Sequence, residues 1–469
     1  MRKRLAVSKK RTSIILLALG VALGVILGAG ANPARAAEKP KALTLKEGVT
    51  LVLKASPQMA SAAKGVEGAV WSRRQVGSQF LPTFGLTYSV TRLEDAPRSA
   101  GTNLTITIPG LLPGRITSPA QDVGSRDNWQ SKITVTQPLF TGFALSTAYQ
   151  MAEIGVDLAK VSQVKTRLDT IFQAKQSYLN IIVAEKATEV ANQAVAQNEA
   201  HLNVARNFYE VGMVPKNQVL QAEAILAQTV LSQIKAENDV LLTKAGMNNL
   251  LRRNLEAGLE VEDILTYKPF ANSLQECQTQ ALKTRPEIRA VEETILLNRK
   301  KVRLAQADYF PTVALVGNYI WKGDTWQVNG SPFIEDFRSW DVTAALTWNF
   351  WEWGRTYDHV KAAQADLAQS EYTLIQVRDG VNLEVKNGYI SLKEAERAIV
   401  VANKAVESAE ENFRMSNERY REQVATSTEV LDALTLLTQA QTSRYQALYG
   451  YNLAWITLER AMGLGRDEI

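Results

Sequence analysis

The chain has 469 residues, with 53 Lys and Arg against 48 Asp and Glu, two His and one Cys. Seven of the basic residues and none of the acidic ones fall in residues 1–36, so the remainder carries 46 basic against 48 acidic residues. This balance lacks the clustered positive charge that binds phosphate backbones and argues against a nucleic-acid partner, while a single Cys excludes an intramolecular disulfide framework and a multi-Cys metal site.

Residues 1–36 have the order of a secretory signal peptide. Residues 1–13 are basic, residues 14–31 are apolar or Gly, and Ala34-Arg35-Ala36 supplies a small-residue cleavage pattern. The apolar run of 18 residues is nearly long enough for an uncleaved membrane anchor, but its Gly content and the site behind it favour cleavage. Ala37 would follow the cut, so no N-terminal lipid is expected. No later stretch is as apolar, so a membrane crossing would need strands closed into a barrel.

One unit is written twice along the chain. Three early landmarks recur at an offset of 229 residues and five later ones at an offset of 211. The early pairs are Leu45 with Leu274, Pro57 with Pro286 and Pro82 with Pro311, and the later pairs are Leu139 with Phe350, Tyr178 with Tyr389, Asn192 with Asn403, Tyr209 with Tyr420 and Val219 with Val430. The 18-residue change lies between the two sets, so only one loop differs in length. This pattern indicates a tandem duplication.

Each repeat reads as short helices, two strands and a long helical hairpin. The predicted ranges are helices in 37–82, strands in 83–141, a hairpin in 142–252, a linker in 253–271, helices in 272–311, strands in 312–353, and a hairpin with the C-terminus in 354–469. Pro57 and Pro286 suit the first turn of a helix, whereas Pro82 and Pro311 end the helices before the strands. Residues 93–128, between the first two strands, read as a loop rich in Gly, Pro, Ser and Thr.

The strands alternate between apolar and small polar residues. After Pro82, the apolar positions are Phe84, Leu86, Tyr88 and Val90. Strands of about 9–11 residues with this alternation fit a membrane β-barrel, although a soluble sandwich sheet would alternate in the same way. Interfacial aromatic girdles of such a barrel are assigned to Trp129, Trp321, Trp340 and Trp348. Four strands cannot close a barrel, since the smallest have about eight, so several chains would share one.

The helices that follow the strands are unusually long. Residues 142–209 contain no Pro and would reach roughly 100 Å as one helix. A spacing close to 3.5 residues predicts a coiled-coil seam, interrupted at Lys175, through Val161, Val164, Leu168, Ile171, Tyr178 and Ile182. The other faces are rich in Ala, Gln, Asn and Ser, which fits either a plain scaffold or a wall between two aqueous spaces.

Catalytic constellations are missing from the sequence. His201 and His359 do not have the i,i+4 spacing of paired metal ligands, and neither has a Cys nearby in the sequence. No nucleophile elbow, phosphate-binding loop or H-E-x-x-H motif is present. Cys277 stands where the first repeat has Gly48, which indicates a small packed position rather than a reactive thiol. We therefore expect no enzyme activity, no cofactor and no metal.

The mature chain resembles the TolC family of bacterial outer-membrane efflux proteins. The resemblance is carried by the duplicated unit, by Gln137-Pro138-Leu139-Phe140 with Gly142, by Asn349-Phe350-Trp351 with Gly354-Arg355, and by the helix–turn–helix at residues 420–433. It implies a homotrimer in outer-membrane lipid, with a 12-stranded barrel continued by an α-helical barrel across the periplasm. It also implies passive efflux or type I secretion, driven by an inner-membrane pump (RND, ABC or MFS type) through a periplasmic adaptor.

The resemblance places the periplasmic tips at the turns between the long helices. The adaptor-docking residues that it implies are Val211, Gly212, Met213 and Val214 in the first tip and Gln423, Val424, Ala425 and Thr426 in the second. The family usually has Gly in both turns, so Gln423 departs from its pattern. An ordinary helix C-cap would explain Gly212 equally well.

The same resemblance implies a gate just beyond the second tip. Glu429 and Asp432 lie three residues apart, hence on one helical face. They match the family's carboxylate rings, where threefold symmetry would gather six carboxylates that raise one another's pKa values and attract cations. Tyr420 matches a tyrosine that latches the closed entrance, whereas Ala425 stands where a basic partner is usual. A solvated acidic face is the alternative interpretation of the two carboxylates.

Two other architectures also pair long helices with strands. A secreted or surface coiled-coil stalk with a small β head would be a structural protein without ion conduction. A periplasmic adaptor would carry one helical hairpin in a nested domain, which does not fit the tandem offsets of 229 and 211 residues. The sequence therefore favours an outer-membrane export channel over both.

Overall fold

The computed structural model describes residues 42–465, so the signal peptide predicted for residues 1–36 lies outside the described residues. The elements in chain order are α1 (Leu45–Ala55), α2 (Pro57–Ser78), β1 (Thr83–Arg92), β2 (Thr102–Ile106), β3 (Gly114–Ser118), β4 (Asp127–Thr141), α3 (Ala144–Glu210), α4 (Lys216–Leu250), α5 (Leu274–Thr284), α6 (Pro286–Gln306), a single 3₁₀ turn (Ala307–Tyr309), β5 (Thr312–Gly323), β6 (Arg338–Thr347), α7 (Arg355–Arg421) and α8 (Ser427–Ala461). None of these helices combines the length and the apolarity that a membrane crossing needs.

The duplication is visible in the lengths of the helices. The long helices α3 and α7 both have 67 residues, and α4 and α8 both have 35. The short helices α1 and α5 both have 11 residues. Matching lengths in matching order confirm that the fold is one unit used twice.

The repeated residues at the start of each half have a local structural role, because they cap or begin helices. Thr44 and Glu47 form a capping box at the start of α1, and Ser273 and Glu276 form the same box at the start of α5. In each box the hydroxyl and the carboxylate accept hydrogen bonds from backbone N–H groups that the helix leaves unpaired. Pro57 and Pro286 are the first residues of α2 and α6, as predicted. The two repeats thus begin with the same type of capping box, followed by a proline that starts the second helix.

The four long strands form one antiparallel sheet in the order β1-β4-β5-β6. Each repeat contributes two neighbouring strands, and the pairing of β4 with β5 joins the repeats. At the end of β4, Gly142 adopts φ of +59°, and a Cβ there would lie 2.6 Å from the carbonyl oxygen of Ala307. Only glycine fits this close, left-handed turn from strand to helix, which gives the glycine of the repeated motif a physical reason.

The loop expected at residues 93–128 contains a second, smaller sheet. Within it, β2 and β3 pair as a hairpin in which Leu104 lies opposite Ile116. Backbone hydrogen bonds from Leu93 to Arg126 and from Val123 to Pro97 connect this hairpin to the β1–β4 ladder. The loop interpretation was therefore wrong for residues 102–118, because two five-residue strands among Gly and Pro give too short an alternation to recognise.

The apolar core lies where the short helices and the linker surround the long ones. One cluster joins α1 to α3, α4 and the linker through Val49, Tyr178, Met247 and Leu259. A second joins α5 to α7 and α8, and Cys277 is completely buried in it. Burial raises the pKa of the Cys277 thiol, which agrees with a packed rather than a reactive position.

The coiled-coil seam predicted on α3 is present only in part. Val161, Ile171, Tyr178 and Ile182 are buried, whereas Val164 is 50% exposed. Within one chain the seam is therefore interrupted at Val164, and the packing of this residue stays a prediction. Lys175, which interrupts the apolar pattern, is itself buried and pairs with Glu459 of α8.

Candidate functional site at the sheet and the helical tips

The register of the sheet separates an apolar face from a polar one. One row of residues crosses all four strands: Leu86 pairs with Ile133, Ile133 with Tyr319, and Tyr319 with Trp340. Cross-strand partners lie on the same face of a sheet, so these side chains share one face. The adjacent row, on the opposite face, contains Thr134, Asn318 and Asp341. Its side chains are linked, since Thr134 donates to Asn318 at 3.0 Å and Asn318 donates to Asp341 at 2.8 Å. One face therefore suits lipid and the other suits water.

Aromatic side chains gather at both ends of the apolar face. Trp129 lies near the end formed by Arg92 and Asp127 and contacts Tyr88 at 5.8 Å between ring centroids. By the register, Trp321 is level with Ser131 and Trp340 is level with Ile133, further along the same face. At the other end, Phe143 packs edge-on against Phe140 and Phe310. Trp129 and Phe140 are 11 residues apart along β4, about 37 Å along the strand and about 26 Å after a 45° tilt, close to the ~25 Å apolar band of a membrane barrel.

The second aromatic cluster is larger than the sequence indicated. Trp348, assigned to a girdle, follows β6 and donates to the backbone oxygen of Tyr309 at 3.2 Å. Three neighbours that were not assigned to a girdle are more exposed than Trp348, namely Phe350, Trp351 and Trp353. All three follow closely after Thr347, the last residue of β6. This position just beyond a strand end is the signal that would have identified them.

The two tips have the same backbone conformation. Gly212 has φ of +79° and Gln423 has φ of +62°. In the first tip Gly212 N–H donates to Tyr209 and Met213 N–H to Phe208, and in the second Gln423 N–H donates to Tyr420 and Val424 N–H to Arg419. Both are Schellman C-caps. Gln423 thus departs from glycine in residue type, while the turn itself is unchanged.

The tips also touch each other. The Gln423 amide nitrogen lies 2.9 Å from the Met213 sulfur. Beside this contact, Thr428 of α8 donates to Gln221 of α4 at 3.3 Å. Gln221 is the counterpart of Asp432 in the first repeat. The end of the molecule is therefore a joint between the two hairpins, with Val211, Met213 and Val424 exposed on its surface.

Glu429 is the third residue of α8 and forms a capping box with Thr426. Its second carboxylate oxygen lies 3.7 Å from Arg419 of α7. Asp432 is exposed one turn further on and forms no ion pair among residues 42–465. The structure thus leaves Asp432 open and places Glu429 in local contacts with the helix start and with α7.

Tyr420 is 2% exposed. Its ring packs on Phe208 and His201 of α3, with ring centroids 5.6 and 5.0 Å away. His201 Nε2 lies 2.7 Å from the Ser427 hydroxyl oxygen. His201 and Ser427 are 226 residues apart in the chain, so no sequence pattern could have brought them together. Among the described residues, no group of three or more His, Cys, Asp or Glu could hold a metal ion.

Comparisons with known proteins agree with this architecture. The family model of the outer membrane efflux protein matches residues 49–251 and 278–464. The outer membrane protein TolC of Vibrio cholerae is 22% identical over 423 residues, which cover 87% of this chain and 87% of that protein. Nodulation protein T of Rhizobium leguminosarum bv. trifolii is 22% identical over 391 residues, covering 79% of this chain and 81% of the relative.

A solved structure has the same fold. The outer-membrane channel OprN superimposes with a TM-score of 0.71 at 18% identity, covering 89% of each chain. The family consists of channels rather than enzymes, and neither the stalk nor the adaptor interpretation is supported by these matches. The chain therefore belongs to the outer membrane efflux protein family and is an export channel of the outer membrane that extends into the periplasm.

Proposed function

We propose that three copies of the chain form one duct, with a shared 12-stranded barrel in the outer membrane and a tunnel of long helices in the periplasm. The observation that carries this proposal is the pair of open edges of the sheet. The edge strands β1 and β6 have 10 residues each, and every one of these residues is exposed. Each unpaired backbone group in lipid costs several kcal/mol, so an open sheet edge cannot remain in a bilayer.

Pairing β1 of one copy with β6 of the next removes every edge. Four strands are too few to close a barrel, whereas three copies supply twelve, above the minimum of about eight. The apolar row through Leu86 and Trp340 would then face lipid, with Trp129, Trp321, Trp340 and Trp348 at its two borders. The polar row through Asn318 and Asp341 would line a water-filled path.

At the other end, the joined tips would form the periplasmic entrance. Val211, Met213 and Val424 are 68, 56 and 67% exposed, and apolar side chains at a surface mark a site for a protein partner. This partner is a periplasmic adaptor that docks on both tips, residues 211–214 and 423–426. The adaptor connects the duct to an inner-membrane pump, which supplies the energy that a passive channel lacks.

Glu429 and Asp432 would narrow this entrance. Both project from the first turns of α8, and Asp432 is exposed without an ion pair among the described residues. Threefold symmetry would bring six such carboxylates around one axis, where their shared field favours cations. Opening would move α7 and α8 away from the axis and so relieve the constriction.

The proposal is tested by the mass and conductance of the detergent-extracted protein. Native mass spectrometry should give a particle of three chains, and the same particle should produce stepwise currents in a planar bilayer. A monomeric particle, or a trimer that inserts without conducting, would contradict the duct.

A further inference from the structure

A buried histidine connects the two hairpins at the tip. His201 lies in α3, is 5% exposed, and its Nε2 is 2.7 Å from the hydroxyl oxygen of Ser427. Ser427 is the first residue of α8 and is completely buried. This hydrogen bond therefore ties the first hairpin to the very start of the helix that carries Glu429 and Asp432.

The surroundings of His201 are closed but not fully satisfied. Its ring packs on Tyr420 of α7, with 5.0 Å between ring centroids and a 46° angle between planes. The Nδ1 atom of His201 is buried without a hydrogen-bond partner among the described residues, and the Tyr420 hydroxyl lies beside Ser427. One histidine thus contacts both helices of the second hairpin, and its second nitrogen forms no hydrogen bond with any described residue.

We propose that His201 is the latch of the closed tip, holding α8 through Ser427 and α7 through Tyr420, and that its protonation releases the tip. This inference rests on the proposed function, since it names how the proposed entrance is held shut. In the closed state a second N–H on the ring would have no acceptor, and the positive charge would have no counter-ion. Both conditions are relieved when the cluster opens to water.

No charged side chain on the neighbouring elements neutralises the ring. Tyr420 faces it from α7 and Ser427 from α8. Three acidic side chains of the tip have other surroundings: Glu429 contacts Thr426 and Arg419, Glu223 of α4 pairs with Arg206, and Asp432 is exposed. Protonated His201 therefore has no partner that would keep it in place.

The direction of the pH effect follows from burial. Burial lowers the pKa of His201 from 6.5 to about 4 in the closed tip. Above pH 6.5 the ring is neutral in both states, so the closed tip keeps its full stability relative to the open one. As the pH falls from 6.5 to about 4, protonation of the exposed ring increasingly favours the open tip. We assume that the ring regains its ordinary pKa when it is exposed. Lowering the pH from 7.5 to 5 should then raise the ratio of open to closed tips by on the order of 10-fold per chain.

The test compares the pH response of wild type with that of His201→Gln in planar bilayers. Gln can still bond to Ser427 but cannot take up a proton. Wild type should conduct more at pH 5 than at pH 7.5, and His201→Gln should lose this increase. As a control, His359→Gln should keep it, because His359 is exposed beside Asp308 and lies outside the tip. A full response in His201→Gln, or no response in wild type, would overturn the latch.

A second readout does not depend on conduction. Val430→Cys places a thiol at a completely buried position of α8, and the only native thiol, Cys277, is completely buried as well. At pH 5, a maleimide reagent should label Cys at position 430 about 10-fold faster with His201 than with His201→Gln. Equal rates would refute the latch even if the protein conducts. Unequal rates in a protein without conductance would keep the latch and reject the duct.

Discussion

Thr426 and Glu429 exchange hydrogen bonds at the start of α8: the Glu429 N–H donates to the Thr426 hydroxyl at 3.3 Å, and the Thr426 N–H donates to the Glu429 carboxylate at 3.2 Å. Glu429 therefore has a structural role in addition to its proposed part in an acidic ring. A substitution that removes its side chain changes both the charge of the entrance and the stability of the helix start. The two effects must be separated before any change in conduction is assigned to charge.

Glutamine separates them, because a capping box accepts Gln as well as Glu. Glu429→Gln should leave the start of α8 intact, whereas Glu429→Ala should weaken it by about 1 kcal/mol. Amide hydrogen exchange of residues 426–432 checks this. We expect about 5-fold less protection in Glu429→Ala than in the wild type, and unchanged protection in Glu429→Gln. Thr426→Ala is the matched control and should resemble Glu429→Ala. Equal protection in all three variants would contradict the capping role.

Alanine at the left-handed position should destabilise the first tip much more than the second. Gly212→Ala forces a side chain into the left-handed region and should cost about 1 kcal/mol of local stability. Gln423→Ala should cost far less, because residue 423 already occupies that region with a side chain. Gln423→Gly should stabilise the second tip by about 1 kcal/mol. Hydrogen exchange at Met213 and Val424 measures these effects, and a loss at Val424 in Gln423→Ala as large as that at Met213 in Gly212→Ala would contradict them.

The pair of Lys175 and Glu459 joins the repeats inside the protein. Their charged atoms are 2.9 Å apart and the side chains are 2 and 5% exposed, with Trp455 also donating to Glu459. Lys175→Met alone leaves a buried carboxylate without its partner and should cost about 3–5 kcal/mol, whereas Lys175→Met/Glu459→Leu should recover most of that loss. Thermal unfolding in detergent compares the two. A double variant no more stable than the single one would contradict this account.

The sequence predicted most of the fold because the repeated landmarks act locally. Pro57 and Pro286 start helices through their own ring geometry, and the Thr44 and Ser273 boxes need only residues three positions away. The alternation after Pro82 also encodes the two faces of the sheet without reference to the rest of the chain. These features could be predicted since their causes lie within a few residues.

What escaped prediction depends on contacts between distant segments. Lys175 interrupts an apolar pattern, and only the fold shows that Glu459 makes its burial possible. Arg419 reaches Glu429 across the second turn, a contact that the sequence alone did not indicate. His201 gave no sequence signal because its partners, Ser427 and Tyr420, belong to the other repeat. The residues of the proposed gate could be named from their residue types, whereas the contacts of Glu429 and His201 with distant segments could not be predicted.

The most direct test of a trimeric duct with an acidic entrance is its zero-current potential in a KCl gradient. Wild type at pH 7.5 should be cation-selective, and Glu429→Gln/Asp432→Asn should lose much of that selectivity while remaining trimeric and conducting. Glu429→Gln keeps the helix cap, so the change can be attributed to charge. Unchanged selectivity in the double variant would remove these carboxylates from the conduction path, and an anion-selective wild-type channel would contradict the acidic entrance altogether.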